Sequence, residues 1–270
     1  MEIKKYPRTP HLEGSRLQPG DEDLSQVPFS YIRGKHLVVE EKIDGANSAI
    51  SFDADGTLLL QSRGHFLTGG YRERHYDLLK QWAYVHAEAL YSVLGSRYIL
   101  YGEWMYAKHA IFYDKLPHYF LEFDILDRHT GVFLDTHTRH EMIKDLPVVS
   151  VPVLAEGSFQ SKEQLLALLG SSKYISDDHV AHLKELCHQL NLDEDIQCCA
   201  TDESTTMEGL YIKIEENGQV VDRLKYVRNS FLQTISTPNT NWLDRPIVPN
   251  QLSVPMELLY EPKYPGKGCV

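Results

Sequence analysis

At 270 residues, 42% of them hydrophobic and 24% charged, the chain can bury one large core, or a main domain with a small appendage, and has an ordinary globular composition. Its net charge of −11 argues against a protein that coats nucleic acid nonspecifically and leaves room for a local basic groove. No apolar run approaches the roughly 18 residues of a membrane span. Met1-Glu2-Ile3-Lys4-Lys5 leads into polar sequence without a signal-peptide core, so a cytoplasmic protein is expected. Cys187, Cys198, Cys199 and Cys269 form no C-x-x-C, and the plain expectation is reduced thiols rather than a zinc site or a disulfide framework. No H-E-x-x-H spacing occurs, so His65, His75, His86, His118, His137 and His140 read as surface or core residues.

Residues 1–35 are rich in proline, glycine and charge and read as an ordered strap with one or two short elements. Residues 36–41 and 47–52 read as strands. Asp53-Ala54-Asp55-Gly56 is a hairpin turn. The returning strand, 57–61, brings Ser62-Arg63-Gly64 back near Lys42. Over 71–94, Leu78, Trp82, Val85, Ala89 and Val93 recur at helical spacing, and Gly95 stops the run, which predicts one long helix with that stripe in the core. Strands follow at 97–101 and 118–126. From 136 to 200 the pattern is mostly helical, with helices near 137–144, 161–170 and 178–191, and reads as an insertion or side layer. Strands return at 208–215 and 219–226 around Glu216-Asn217-Gly218, a hairpin signal. The last 42 residues, after Arg228, carry several prolines and a short apolar segment from Leu252 to Leu259, which would wrap the domain or cap it.

The chemistry centres on Glu40-Glu41-Lys42-Ile43-Asp44-Gly45-Ala46-Asn47. A lysine at the end of a buried strand, among other cations, can be held as the neutral amine that a nucleophile must be. Gly45 removes a Cβ where a bulky ligand would approach the backbone. As a spacing, K-x-D-G is weak on its own. It gains weight from the short pieces that succeed it along the chain: Ser62-Arg63-Gly64, Gly102-Glu103-Trp104, Phe123-Asp124-Ile125, Glu208-Gly209-Leu210-Tyr211-Ile212-Lys213 and Arg223-Leu224-Lys225-Tyr226-Val227-Arg228. Each lies at a strand end or edge, and antiparallel strands can bring such ends into one pocket. There is no GxxxxGK[ST] phosphate loop, which sets a P-loop kinase aside.

This order resembles the covalent nucleotidyltransferase superfamily: ATP-dependent DNA ligases, RNA ligases and mRNA capping enzymes. Asn47, and Ala46 in place of the arginine usual in DNA ligases and capping enzymes, make the chain most similar to ATP-dependent RNA ligases of the RNA ligase 2-like group. Glu103 to Asp127, Arg8-Thr9-Pro10-His11-Leu12 and Gly14-Ser15-Arg16 also resemble bacterial RNA ligase sequences.

The resemblance implies an α+β nucleotidyltransferase (ATP-grasp-like) fold, with antiparallel sheets and flanking helices around a nucleotide cleft. Residues 1–228 would be the adenylyltransferase domain, with 137–203 a mostly helical insertion. Residues 229–270 would be a short extension, too few for an OB domain. It implies an enzyme that joins 3′-hydroxyl and 5′-phosphate RNA ends through lysyl-AMP and RNA-adenylate, using ATP and Mg²⁺, or Mn²⁺ in its place, in RNA repair and alongside other RNA-repair enzymes.

Lys42, between Glu41 and Ile43 of the nucleotide site, is then the nucleophile, and Lys225 holds the α-phosphate. Glu103 takes the ribose and Glu208 the metal, with Glu103 assisting. Phe123 stacks on adenine. Arg63 contacts the sugar and the RNA end. Asp44 orders the pocket, and Asn47 orients the metal's water or a substrate phosphate. Lys213 is placed with the nucleotide. Lys213, Arg72, Arg74 and Arg228 are candidates for RNA phosphates, and either Arg223 or Arg228 is the second basic residue of the last motif. The rivals are a DNA ligase or capping guanylyltransferase, and a nucleotide- or RNA-end-binding module without turnover.

Overall fold

The computed structural model describes residues 2–17, 21, 25–231 and 246–262. Its strands are β1 (His11–Leu12), β2 (Gln26–Val27), β3 (Leu37–Lys42), β4 (Ala46–Phe52), β5 (Leu58–Ser62), β6 (Tyr98–Trp104), β7 (Phe120–Asp127), β8 (Val132–Leu134), β9 (Val149–Ser150), β10 (Val153–Gly157), β11 (Gly209–Glu216) and β12 (Gln219–Val227). Its helices are α1 (Asp77–Val85), α2 (Ala87–Leu94), α3 (Thr136–Ile143), α4 (Lys162–Leu166), α5 (His179–Gln189) and α6 (Glu194–Cys199). The main hydrogen-bonded path runs β10-β3-β11-β12-β8-β7-β6-β4-β5. Every pairing along it is antiparallel; β1 with β12, β1 with β2 and β7 with β9 are parallel.

That order shapes the molecule. β3 and β4 are consecutive in the chain but lie near opposite ends of the path, and only residues 43–45 join them. The sheet must therefore curl until its two halves meet at Lys42 and Ala46. Along that path the halves are joined through the three residues of β8. These pair with β12 at Gln219 and Val220 and with β7 at Leu126 and Asp127, which is the end of both strands remote from Lys225 and Phe123. At the near end β7 and β12 splay, and a cleft opens between them.

Period-two alternation gives β3, β11 and β12 one apolar and one charged face. Leu37, Val39, Leu210, Ile212, Ile214, Leu224 and Tyr226 pack into a core with Leu12, Phe29, Ile32, Phe159 and Leu165. The opposite face carries Glu40, Lys42, Tyr211, Lys213, Arg223 and Lys225. A larger core lies under β4, β6 and β7, with Trp82, Leu90, Trp104, Ile111 and Phe120.

The long helix expected over 71–94 is three pieces: a 3-10 turn at Tyr71–Tyr76, then α1, then α2. The break falls at buried His86, whose ring nitrogen meets the Leu259 carbonyl at 2.9 Å. It shifts the helical phase, so Leu79, Trp82, Ala83, Leu90 and Leu94 are buried while Val85 and Ala89 are exposed. The stretch expected to be mostly helical also contains β9 and β10, and β10 pairs with β3 as an edge strand of the main sheet. Its five residues, Val153-Leu154-Ala155-Glu156-Gly157, are too short to register against the helical periodicity around them. The strap holds β1, β2 and a 3-10 turn at Phe29–Tyr31. Near the other terminus, Asn250 is buried: its side chain accepts from Tyr113 N–H and donates to the Met105 carbonyl, and Leu259 joins the larger core. Cys187, Cys198 and Cys199 are free thiols; Cys269 lies outside the described residues. No described helix is long and apolar enough to cross a membrane.

Candidate active site

The splayed strands enclose a cleft of about 1180 Å³ whose walls include Glu41, Lys42, Ile43, Asp44, Asn47, Arg63, Arg72, Glu103, Phe123, Glu208 and Lys225. Lys42 and Lys225, 183 positions apart in the chain, are thus brought to one cleft. Lys42 is the last residue of β3 and stands opposite Gly209 in the ladder with β11. Glu208 therefore sits one residue beyond the pairing, and Lys42 Nζ donates to its Oε1 at 2.6 Å. Glu103 comes from β6, opposite Asn47 of β4.

The electrostatics differ from the neutral amine expected. Burial disfavours the charged form of Lys42, but the Glu208 carboxylate outweighs it, with Glu103 and Asp44 adding to the effect, and the pKa is raised. In this state Lys42 is an ammonium locked to Glu208. Glu103 is pushed up to about 8, chiefly by burial; Lys42 opposes the shift, and the Glu208 and Asp44 carboxylates reinforce it. Glu41 is raised to about 7 by burial against a Ser172 hydrogen bond. Lys225 is lowered, first by burial and further by the Lys42 charge, despite a hydrogen bond to Asp21.

Asp44 is held firmly. Its Oδ2 accepts from Ala110 N–H at 2.7 Å and Ile111 N–H at 3.1 Å, and its own N–H donates to Tyr113 Oη at 2.9 Å. Gly45 serves this packing rather than a ligand: a Cβ there would lie 2.6 Å from Met105 Sδ and 2.9 Å from the Trp104 carbonyl. Phe123 is the extra residue of a β-bulge, since Tyr101 pairs with Asp124 while Gly102 pairs with Glu122. The bulge turns the half-buried ring into the cleft.

A family model for RNA ligase matches residues 35–227. The chain belongs to the RNA ligase family. Among solved structures, a point mutant of Naegleria gruberi RNA ligase without ligand is 18% identical, with a TM-score of 0.52, over 85% of this chain and 56% of that one. The same enzyme with pyrophosphate is 20% identical, TM-score 0.49, over 85% and 57%, and a mutant with ATP and Mn is 18% identical, TM-score 0.46, over 75% and 52%. The chain thus spans little more than half the length of these RNA ligases, and the likeness to the first of them shows a shared mixed α/β fold with an antiparallel sheet. No curated protein matches.

Two residues assigned to ligands in the sequence face elsewhere in this RNA ligase family member. Lys213 is fully buried below the cleft, bonded to Glu40, Asp124 and the Phe123 carbonyl, and it does not line the cleft. The motif places a lysine on the charged face of β11, but two residues deeper than Tyr211, where the sheet halves have closed. Arg228 is likewise turned inward, donating to Asp202 at 2.7 Å, Ser204 and the Met207 carbonyl. Neither is free to meet a nucleotide or an RNA phosphate. Arg223 lies 3.5 Å from Asp124 and over the Phe133 ring at 4.2 Å, so neither candidate for a second basic residue reaches the cleft. Arg74 lies over the Tyr71 ring at the cleft edge.

The strap supplies residues that the sequence motifs do not assign. Tyr6, Thr9 and Asp21 line the cleft, and Asp21 bonds both Lys225 and His11 Nε2. The leader around Arg8 to Arg16 carries a family likeness, but a likeness of that kind gives no single side chain a role. His65, His75 and His109 also line the cleft.

Three or more His, Cys, Asp or Glu side chains do not converge into a metal site of their own among the described residues. The donors present are still those Mg²⁺ prefers: hard carboxylate oxygens, with one of them, Glu103, strained by burial without enough positive charge nearby. Mg²⁺ typically takes one or two carboxylates and completes its shell with substrate phosphates and water, so the residues fit such an ion.

Proposed function

We propose that this chain is an ATP-dependent RNA ligase that joins a 5′-phosphate end to a 3′-hydroxyl end, acting in RNA repair, and that its fold is of the nucleotidyltransferase (ATP-grasp-like) kind. Residues 1–228 form its adenylyltransferase unit and 229–270 a short extension. The observation that carries this reading is the lysine amine at the end of β3, 2.6 Å from Glu208, in a cleft that also holds Glu103, Arg63, Phe123 and Lys225. A module that only binds nucleotides has no need of an amine at that point.

In the first step Lys42 Nζ bonds to the α-phosphorus of ATP as the bond to pyrophosphate breaks. The amine must first give up its proton, and Glu208, which already accepts a hydrogen bond from it, is the carboxylate placed to take it. Lys225 holds an α-phosphate oxygen, for which it must exchange Asp21. Phe123 stacks on adenine, and Asn47 and Arg63 orient phosphate. Glu208 and Glu103 would hold Mg²⁺ or Mn²⁺, and such an ion would supply charge neutralisation on the phosphates. AMP then passes from Lys42 to the RNA 5′-phosphate, and attack by the 3′-hydroxyl on that phosphate releases it. In-line positioning and electrostatics carry these steps.

Labelled ATP with Mg²⁺, followed by a chase with 5′-phosphorylated RNA, tests the proposal. A labelled protein band on a denaturing gel, discharged by RNA and missing in Lys42→Ala, is expected. An adduct that persists on Lys42→Ala removes the assignment, and labelling by GTP, or sealing of nicked DNA in preference to RNA, transfers it to the capping or DNA ligase classes.

A further inference from the structure

The 62–76 segment forms the outer lip of the cleft, and its construction is specific. Gly69 and Gly70 adopt φ of +112° and +110°, a region open to glycine and costly to other residues. Glu73 pins the turn, accepting from Gly69 N–H at 2.7 Å and Thr68 N–H at 3.2 Å and pairing with Lys80 at 2.9 Å. The far end is tied to the core, where Trp104 Nε1 donates to the His75 carbonyl at 2.7 Å. What this anchored turn presents is Tyr71, 67% exposed, with the Arg74 guanidinium 4.4 Å above its ring. Tyr84 is more exposed still, but only Tyr71 of the two lines the cleft.

Two more cations, Arg63 and Arg72, line the same lip. Among the described residues neither forms a hydrogen bond or ion pair, and the Arg63 charge acts on Glu103 of the same cleft. An aromatic face backed by a guanidinium, beside two uncommitted arginines, matches a nucleotide: base on the ring, phosphate on the arginines. The enclosed half-buried ring of Phe123 is a separate aromatic surface deeper in the cleft.

We propose that Tyr71 is a stacking platform for the unpaired 5′-terminal base of the RNA strand that brings the phosphate. Each linkage of the acceptor strand offers a singly charged phosphodiester, whereas the terminal 5′-phosphate is a monoester with about −1.5 to −2 charge and three acceptor oxygens, the stronger match to the two arginines Arg63 and Arg72. This rests on the ligase reading above and narrows its substrate to ends whose first base is free to stack. Stacking is indifferent to base identity, so the subsite selects an unpaired end without selecting a sequence.

The probe is a single-stranded 5′-phosphorylated RNA with 2-aminopurine at its first position. Its fluorescence is quenched on binding the parent chain and Tyr71→Phe, and the quench is lost with Tyr71→Ala. KM for that RNA in sealing rises about tenfold in Tyr71→Ala, within the range that base stacking on an aromatic ring supplies, and Tyr71→Trp restores it. Equal quenching and equal KM in Tyr71→Ala overturn the proposal. Lysyl-AMP formation from ATP without RNA, measured on the same preparations, separates the two readings. A parent chain that quenches the probe but forms no adduct refutes the ligase function and keeps the subsite. One that forms the adduct and seals equally well with or without Tyr71 does the reverse.

Discussion

Strands β3, β11 and β12 carry two clusters of charge side by side, one sealed and one facing the cleft. In the sealed cluster Arg139 bridges Glu40 and Glu122, Lys213 bridges Glu40 and Asp124, and all five side chains are without solvent exposure. Asp135 caps α3 by accepting from Thr138 N–H at 2.8 Å, and that short helix delivers Arg139. Tyr6 from the strap completes the shell, donating to Asp124. In the cleft cluster, two residues along β3, Lys42 has a single close partner, Glu208. Glu103 is left with a pKa near 8, and among the described residues Lys225 pairs with the strap's Asp21 and has a lowered pKa. The same strands and residue types thus make a fixed support and a site that can exchange partners. The difference is whether counter-charges come from the rigid interior or are left for a ligand to supply.

Breaking the sealed cluster should have the largest effect on folding. Arg139→Met strands two buried carboxylates, a loss of about 3–5 kcal/mol. For a chain of this size the melting temperature should drop by roughly ten degrees or more. Calorimetry checks this, and a variant as stable as the parent would mean the cluster is not what holds α3 to the sheet. Lys225→Met should do the opposite: lysyl-AMP formation falls about a hundredfold, the scale of losing one donor aimed at transition-state charge, while the melting temperature hardly moves. A radiolabel time course beside a melting curve separates the two.

The next contrast is in pH. Glu103 has a folded pKa of about 8 against an ordinary 4.5. Between those values the folded chain holds a proton that the unfolded chain has released, so stability declines as pH rises through that window. Glu41, at about 7, acts with the same sign up to that pH. Glu103→Gln should melt higher than the parent at pH 8 and equal to it at pH 4.5. An identical pH dependence in parent and variant would show that Glu103 is not strained. The smallest effect is expected at Asp21→Asn. Lys225 no longer has to leave a carboxylate for a phosphate, so KM for ATP should fall by a factor of about two to five, the scale of a weak, partly exposed ion pair. A rise in KM would make Asp21 an orienting partner instead.

Much of the cleft was legible because its residues sit in short motifs at strand ends: Lys42, Glu103, Glu208 and Lys225 all reached the place their spacing implied. The hairpins were legible for a similar reason, since Asp55-Gly56 and Asn217-Gly218 announce their turns locally, Asn217 and Gly218 both with positive φ. The errors share one cause. Lys213 and Arg228 carry the right charge in the right motif, but depth below the surface is not a property of a motif. The helix break at His86 depends on a carbonyl 173 residues away, and β10 becomes a strand because β3 offers it an edge.

The sequence by itself determined the alternation of apolar and charged faces, the hairpin turns and the order of reactive side chains, because these depend on neighbours a few residues apart. Only the tertiary structure decided which lysine lines the cleft and which is sealed as support, which arginines are exposed at the lip, and that the resting amine is held as an ion pair. Burial, counter-charge and the curl of the sheet set those outcomes, and each is a sum over residues distant in the chain.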